Sequence, residues 1–393
     1  MPDNNLEKLL KALQGSLSGF ADVKQYLQDA LNDLKEMDTL LTDLKKTNSN
    51  LSASALEAIK DNSFRIADTY GRKAADYLSA VQSASNAGYQ NAEDIAELSL
   101  AVQTAGNLTA DLADRYIRAA DSAYSLGGSV EQLTRILDGS NQLASRNHVQ
   151  LTDLADGMTL LCSRADELGI GADEAAAALG TLLAATGQDS APLAGSLETL
   201  LLYLNQITDE TKGIDTAGLS RYKQACEELG VSLTETRNGI TSLRDPMETL
   251  KELSAAYSSL SASDSRRTQL LDAVGGSTNG EALSALLTGY GTYEKMLQDY
   301  ADGTGSLAAD AEKAASSWEG SLNRLSNTWT QTVGNIANSD AVTTIVDSLN
   351  GLLNVLNNVT GFLGSSGSLG AGLGALLGAK NVGNPKKYGF SLF

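Results

Sequence analysis

Proline is scarce in this sequence, with four residues in 393 and none between positions 3 and 191. Proline breaks the interior of helices, so its absence over this stretch permits long helical segments. Aromatic residues make up only 5% of the chain. Because aromatic and β-branched residues favour strands, this composition predicts an all-α protein with few large side chains in its core.

Histidine and cysteine are also rare, with one histidine, His148, and two cysteines, Cys162 and Cys226. One histidine excludes a multi-histidine zinc site, and the distant cysteines offer neither metal spacing nor a disulfide framework. A Cys–His pair would require His148 and Cys162 to meet, although along one helix they would lie ~21 Å apart. No phosphate-binding P-loop sequence occurs. We therefore predict no enzyme activity, no cofactor and no metal site.

Positive charge is the third shortage, because 29 basic residues stand against 48 acidic ones and the formal net charge is −19. A protein that binds nucleic acid through phosphates needs clustered Lys and Arg, so we predict no specific nucleic-acid binding. The N-terminal residues lack the basic start and the continuous apolar run of a secretory signal.

The N-terminal region contains a seven-residue apolar repeat over residues 6–44. A second register lies three residues after the first and has Ser16 as its single polar member. The pattern is typical of a coiled-coil seam and predicts a long N-terminal helix. Its partner is either another copy of the chain or a later helix that folds back. The first register consists of Leu6, Leu13, Phe20, Leu27, Leu34 and Leu41.

Amphipathic helices are predicted to follow as a bundle of hairpins, the first helix running from about residue 54 to residue 86. A short pattern occurs twice, as Asp166–Ile170 and Glu227–Val231. Each copy is followed by an acid, Glu174 or Glu235, which we expect in the first turn of the next helix. Glycine ends helices readily and marks the expected breaks. These glycines are Gly88, Gly106, Gly127, Gly128, Gly139, Gly169, Gly171 and Gly187.

An apolar stripe at helical spacing places both tryptophans of the chain on one helix face. We predict that this stripe forms a helix–helix interface within the protein. The alternative is that it binds another protein. The stripe consists of Trp318, Leu322, Leu325, Trp329, Val333 and Ile336.

Charge nearly disappears between residues 341 and 379, where Asp347 is the single ionised side chain. Residues 342–363 are long enough to span a bilayer, but their asparagines, serines and threonines make them a poor transmembrane helix. Residues 361–378 are rich in glycine and only weakly apolar. Two interpretations stay open, a membrane-active hairpin and a packed helix followed by a flexible linker.

Several short blocks follow one another along residues 60–378. They are Gly88–Leu98, Leu137–Asn141 with Ser145–His148, Leu151–Met158, Glu174–Leu183, Gly195–Ile207 and the stripe at Trp318–Trp329. In this order, and with the helix–glycine–helix rhythm between them, they resemble the core region of the tape measure proteins of long-tailed bacteriophages.

The resemblance implies a structural protein of the virion without a catalytic core. It implies a ruler in the lumen of the tail tube that sets tail length, templates tube assembly and is later ejected, with many relatives inserting into the host membrane. The implied partners are the tail tube protein, tail assembly chaperones, distal tail or baseplate proteins and further copies of the chain. The alternatives are a membrane-perturbing, pore-forming type of protein and, less favoured, a cell-wall hydrolase.

The resemblance also suggests how the chain is divided. Residues 1–50 are expected to form the coiled-coil helix and residues 51–335 the helical tape measure core. Residues 336–380 are the Gly-rich apolar segment and the candidate for membrane activity. Residues 381–393 resemble the beginning of a further segment, which leads us to expect a truncated or split protein.

Overall fold

Helices make up nearly all the regular structure of this protein. The computed structural model describes residues 21–275 and 277–337, with side chains described from residue 29 to residue 335. In these ranges the other regular elements are one 3-10 turn, Glu210–Lys212, and one two-stranded hairpin. The predicted all-α class is therefore confirmed.

The α-helices of the described ranges are numbered here in chain order. They are α1 (Ala21–Thr47), α2 (Ala53–Tyr70), α3 (Ala74–Asn86), α4 (Ala92–Gly106), α5 (Ala110–Ala123), α6 (Val130–Arg146), α7 (Leu151–Glu167), α8 (Ala172–Thr186), α9 (Ser190–Leu204), α10 (Thr216–Glu228), α11 (Pro246–Ser259), α12 (Ser265–Ala273), α13 (Ser277–Thr288), α14 (Tyr290–Ala301), α15 (Ser306–Ala315) and α16 (Trp318–Ala337). The strands are β1 (Thr234–Arg237) and β2 (Ile240–Leu243).

The chain forms two units. The main unit contains residues 40–320, and the described part of the second unit contains residues 21–39 and 321–337. We call the second unit the terminal helix pair, because it is built from the first part of α1 and most of α16.

Helix α8 is the centre of the main unit. Every residue from Ala175 to Leu183 is buried, so this helix is apolar around its whole circumference. It contacts α6, α7, α9, α13 and α14. Its many alanines keep the side chains short, and the core of the main unit therefore consists of closely packed helices with few aromatic residues.

The helix predicted from residue 54 to residue 86 is in fact two helices, α2 and α3. Gly71 separates them in a left-handed conformation with φ 62°. The N–H of Arg72 then donates to the carbonyl oxygen of Ala67 at 2.8 Å, as in a helix C-terminal cap. A side chain at position 71 would also lie 2.8 Å from the Cα of Gly320, so this turn is packed against other backbone.

The two copies of the repeated pattern have different continuations. The first continues as predicted, with Glu174 in the first turn of α8 accepting a hydrogen bond from the N–H of Gly171 at 3.1 Å. The prediction for the second copy is wrong, because Glu235 lies in strand β1 and not in a helix. Asn238 and Gly239 both have positive φ and form the two-residue turn of a hairpin at this position.

Polar side chains lie at the contact inside the terminal helix pair. The hydroxyl of Ser326 donates to the carboxylate of Asp33 at 3.1 Å, and that of Thr330 lies 3.5 Å from the same oxygen. Asp33 is 9% exposed and Thr330 is 1% exposed, so this contact is shielded from water. The interior of this unit therefore contains buried polar groups as well as buried apolar side chains such as Met37 and Val333.

Candidate functional site: the polar clasp of helices α6, α14 and α15

Helix α6 carries three buried polar side chains, Asp138, Ser140 and Asn141. They lie near apolar residues of the same helix, such as Leu137 and Leu143, that are fully buried. Buried polar groups require hydrogen-bond partners, and a partner reached across a long stretch of sequence ties two parts of the fold together. We call this group, with its partners on α14 and α15, the polar clasp.

Asp138 caps a helix that follows it by more than 160 residues. Its Oδ2 accepts a hydrogen bond from the N–H of Gly305 at 2.8 Å, and its Oδ1 accepts one from the N–H of Leu307 at 2.9 Å. These N–H groups belong to the N-terminus of α15, where a helix has unpaired donors and a partial positive charge. The carboxylate, 5% exposed, therefore satisfies the start of α15.

Asn141 continues the same contact one turn further along α6. Its amide nitrogen donates to the hydroxyl of Ser306 at 2.6 Å and to the carboxylate of Asp310 at 2.9 Å. Burial acts to raise the pKa of Asp310, but hydrogen bonds from Lys313 and Asn141 outweigh it and lower that pKa. Asp310 is thus held in its charged form by its partners.

Gly139 lies inside α6 and not at a helix end, so the break predicted there is wrong. A Cβ at this position would overlap the ring of Tyr300. A Cβ at Gly303 would lie 2.7 Å from the carbonyl oxygen of Asp138. The two glycines allow the α14–α15 turn to approach the backbone of α6 closely enough for the hydrogen bonds of Asp138.

Asp299 forms the second half of the clasp, at the C-terminal end of α6. Its carboxylate accepts hydrogen bonds from Arg146 at 3.0 Å, from Asn147 at 2.8 Å and from Lys295 at 2.8 Å. Lys295 also donates to the amide oxygen of Asn147 at 2.6 Å. Burial acts to raise the pKa of Asp299, but the bonds from Lys295, Asn147 and Arg146 lower it overall.

The groups of the clasp are engaged with one another. Both oxygens of Asp138 accept main-chain N–H groups, and the hydroxyl of Ser140 is paired with that of Tyr116 at 2.6 Å. Among the residues that the structure describes, no group of three or more His, Cys, Asp or Glu is arranged to hold a metal ion. These hydrogen bonds hold α6, α14 and α15 in position relative to one another.

Helix α6, which carries one side of the clasp, lies in a region that matches a known protein family. A family model for phage-related minor tail proteins matches residues 60–276, more than half of the 393 residues. The chain belongs to this family. No solved structure matches it. This minor tail protein therefore has a structural role in a phage tail, is located in the virion and has other tail components as partners.

The clasp reaches beyond the matched region of this minor tail protein. Asp138 and Asn141 lie inside the match, whereas Asp299, Gly305 and Asp310 lie after its last residue. The α14–α15 partners were not singled out from the sequence. The available signal was on α6, where polar residues interrupt an apolar helix face and predict a buried partner without saying which one.

Other blocks singled out in the sequence are joints of the same kind. In Gly88–Leu98, the amide of Asn91 donates to the carbonyl oxygen of Gly128 at 3.0 Å. Glu97 of the same block accepts from the hydroxyl of Tyr70 at 3.3 Å. In Leu151–Met158, the apolar residues Leu151, Leu154, Ala155 and Met158 are buried. These two blocks hold helices together.

The predicted seam lies only partly within the described residues. Leu6, Leu13 and Phe20 lie outside them, and the side chain of Leu27 is also outside the description. Leu34 and Leu41 are half-buried. The side chains of the second register are more deeply buried, since Ala30, Met37 and Leu44 are each at most 2% exposed.

The predicted stripe of α16 has a graded burial. Val333 is buried, Leu325 and Trp329 are half-buried, and Leu322 and Trp318 are exposed. Ile336 lies on the described helix, but its side chain is outside the description. The fully buried residues of this helix include the polar Asn327 and Thr330, which no apolar pattern would have selected.

The two residues considered for Cys–His chemistry differ in exposure. His148 is exposed in the turn between α6 and α7, with φ 56°. Cys162 is fully buried in α7, and burial raises the pKa of its thiol to about 12. Cys226 is buried as well, with its pKa raised to about 12 by burial.

The predicted Gly-rich apolar segment, residues 336–380, lies outside the described residues apart from the end of α16. The predicted tail, residues 381–393, lies outside them entirely. In the ranges that are described, no helix combines the length and the apolar character required to cross a membrane.

Proposed function

We propose that this minor tail protein is the tape measure of its phage tail, a ruler and scaffold in the tail tube. The observation that supports the proposal is its almost entirely helical structure, in which no proline of the described residues lies in the interior of a helix. Both prolines of the described residues lie in the first turn of a helix, Pro246 at the start of α11 and Pro192 near the start of α9. Proline is tolerated in a first turn, so neither prevents helix extension.

A helical chain is a suitable ruler because its length grows linearly with the number of residues. Fully helical, a chain of this size would span roughly 590 Å at 1.5 Å per residue. Extension requires the polar clasp to open, because it joins Arg146 to Asp299 across 153 positions of sequence. We therefore assign the described fold to the protein before its incorporation into the tube.

The proposed partners follow from this role. They are the tail tube protein around the ruler, tail assembly chaperones before incorporation, and distal tail or baseplate proteins at the end of the tube. The ruler acts as several copies in the lumen and leaves before the DNA. We also propose that the chain is not an enzyme, in keeping with a clasp whose carboxylates and hydroxyls are paired with one another.

The ruler is tested by changing the length of the seven-residue repeat in whole heptads. A tandem duplication of residues 14–41 in the phage gene adds 28 residues and keeps the seven-residue repeat in register. We expect the tail to lengthen by about 42 Å, the helical rise of the added residues, in electron micrographs of purified virions. Deletion of the same residues should shorten the tail by the same amount.

The matched control replaces residues 14–41 by another helical heptad sequence of equal length, which should leave the tail unchanged. Infectious virions with unchanged tails after duplication would reject the ruler. That result would not contradict the structural role of the protein in the tail.

A further inference from the structure

The hairpin of β1 and β2 has an exposed tip with an unusual dipeptide. Every residue from Thr236 to Leu243 is exposed. The turn residues are Asn238 and Gly239, with φ values of 55° and 80°. A two-residue hairpin turn of this type requires positive φ at both positions, which asparagine and glycine tolerate best. The fold therefore presents an asparagine followed by glycine to the solvent.

An asparagine that precedes a glycine is chemically labile. Asparagine is a thermolabile residue, because its side-chain amide can be lost. The main-chain nitrogen of the following residue attacks the side-chain carbonyl carbon and closes a five-membered imide ring. Glycine has no Cβ, so it leaves the approach of this nitrogen unobstructed and gives the backbone the freedom to rotate.

The described residues contain the same dipeptide in a protected setting, Asn279–Gly280 in α13. The amide nitrogen of Asn279 donates to the carbonyl oxygen of Gly275 at 2.8 Å and to that of Val274 at 3.2 Å. Gly280 is buried, and a Cβ there would lie 3.0 Å from the carbonyl oxygen of Leu271. Ring closure at this site would require the backbone to rotate inside a packed helix.

The tip of the hairpin has room for the rotation that the helix prevents. A Cβ at Gly239 would have no other atom within 4 Å. The nearest side-chain contact across the strands is the hydroxyl pair of Thr236 and Thr241 at 2.9 Å, which is itself exposed. Exposed hydrogen bonds at the end of an element open at a low free energy. The turn can therefore reach the geometry of attack without unfolding of the main unit.

We propose that Asn238 is a site of spontaneous deamidation in the folded protein. A bond forms between the nitrogen of Gly239 and Cγ of Asn238, and the bond from Cγ to Nδ2 breaks. The proton of the glycine nitrogen leaves with the amide group as ammonia. Water then opens the ring at one of its two carbonyl carbons and gives an aspartate or a β-linked aspartate. No oxidant or reductant takes part, and the inference does not depend on the ruler proposal.

The reaction changes the hairpin in two ways. Both products add a negative charge at the tip. The β-linked product also adds one carbon atom to the main chain at position 238, so a turn of two residues no longer matches the pairing of Arg237 with Ile240. At the base of the hairpin, Arg244 still bonds both oxygens of Glu252, at 2.6 and 2.7 Å. The effect is thus confined to the tip.

Peptide mass spectrometry tests the proposal on the full-length protein. The protein is incubated at mildly alkaline pH in water enriched in heavy oxygen, which marks every amide converted during the incubation. Digestion with pepsin in acid then suppresses further reaction. We expect Asn238 to convert at least about tenfold faster than Asn279, because α13 must open locally before Gly280 can attack.

Two reference samples show whether the fold causes this difference. In urea-unfolded protein the two sites should convert at similar rates, since both are followed by glycine. The variant Asn238→Gln should stop conversion at this position in the folded protein, because its longer side chain would have to close a six-membered ring.

Hydrogen exchange measures the consequence for the hairpin. Wild-type protein enriched in the β-linked product should lose protection of the amides of Thr236 and Thr241. The variant Asn238→Asp carries the new charge on an unchanged backbone and should keep that protection. The amides of α8 should exchange equally in all samples, because the main unit stays folded.

Two outcomes would overturn the proposal. Equal conversion of Asn238 and Asn279 in the folded protein would show that the exposed turn does not promote the reaction. Conversion of Asn238 only in urea would show that the folded turn protects its asparagine. Unchanged hydrogen exchange in the β-linked product would overturn the predicted opening of the tip.

Discussion

The main unit and the terminal helix pair differ in how they combine buried polar and buried apolar side chains. In the main unit α8 is apolar on every side, and the polar clasp lies where α6 meets α14 and α15 with its partners in place. In the helix pair both polar and apolar side chains are buried, Asp33 and Thr330 as well as Met37 and Val333. Apolar side chains stabilise a unit through their burial, whereas buried polar groups contribute through the hydrogen bonds that pair them.

The largest effect is expected at the apolar centre of the main unit. Leu179 of α8 is fully buried, and a Cβ at Gly157 would lie 2.6 Å from its side chain, so the helices are closely packed there. Leu179→Ala should lower the free energy of unfolding by about 2–5 kcal/mol, because it leaves a cavity that cannot collapse. Urea unfolding followed by far-UV circular dichroism measures this change.

The matched control for that prediction is Leu160→Ala on α7, where the side chain is 55% exposed. It should change stability by at most about 0.5 kcal/mol. Similar losses for both variants would show that α8 is not the centre of the unit.

The next effect is expected at the clasp. Asp138→Ala leaves the N–H groups of Gly305 and Leu307 without their acceptor, and it should lower the free energy of unfolding by about 1–3 kcal/mol. Glu131→Ala on the same helix is the control, since the side chain of Glu131 is 84% exposed. If the two variants unfold at the same urea concentration, the clasp does not stabilise the fold.

The second half of the clasp should make stability depend on pH. The pKa of Asp299 is lowered in the folded state, so its contribution is complete above the unfolded pKa of about 3.9 and is lost as pH falls through the folded pKa. The stability difference between the wild type and Asp299→Asn should therefore be constant near neutral pH and shrink in acid. Urea unfolding at a series of pH values measures it, and a difference that does not vary with pH would contradict the assigned role of the charge.

The smallest effect is expected in the terminal helix pair. Ser326→Ala removes one hydrogen bond to Asp33 and should cost about 0.5–1.5 kcal/mol. Hydrogen exchange of the α16 amides detects this change locally, without unfolding of the main unit. Thr328→Ala is the control, because the hydroxyl of Thr328 bonds within its own helix, to the carbonyl oxygen of Arg324. Equal hydrogen exchange in the two variants would show that the hydrogen bond to Asp33 does not hold the helix pair together.

Much of the helical fold could be predicted from local sequence. The part of the seven-residue repeat within the described residues lies on α1, the glycines at 169, 171 and 187 lie at helix ends, and Glu174 lies in the first turn of α8. Local rules failed where a neighbouring element decided the outcome. Gly139 stays inside α6 because the ring of Tyr300 occupies the space beside it, and Glu235 lies in a hairpin because Asn238 and Gly239 turn the chain.

The scarcity of proline, histidine and aromatic residues by itself determined an all-α chain with no multi-histidine metal site, because these residue types set what the backbone and the side chains can do. The order of its sequence blocks indicated a relationship to phage tail proteins. Only the tertiary structure decided which helices meet. Asp138 caps α15 and Asp33 contacts α16 across separations of more than 150 residues, and the hydrogen-bond partner of a buried polar group is fixed by packing, which no local pattern encodes.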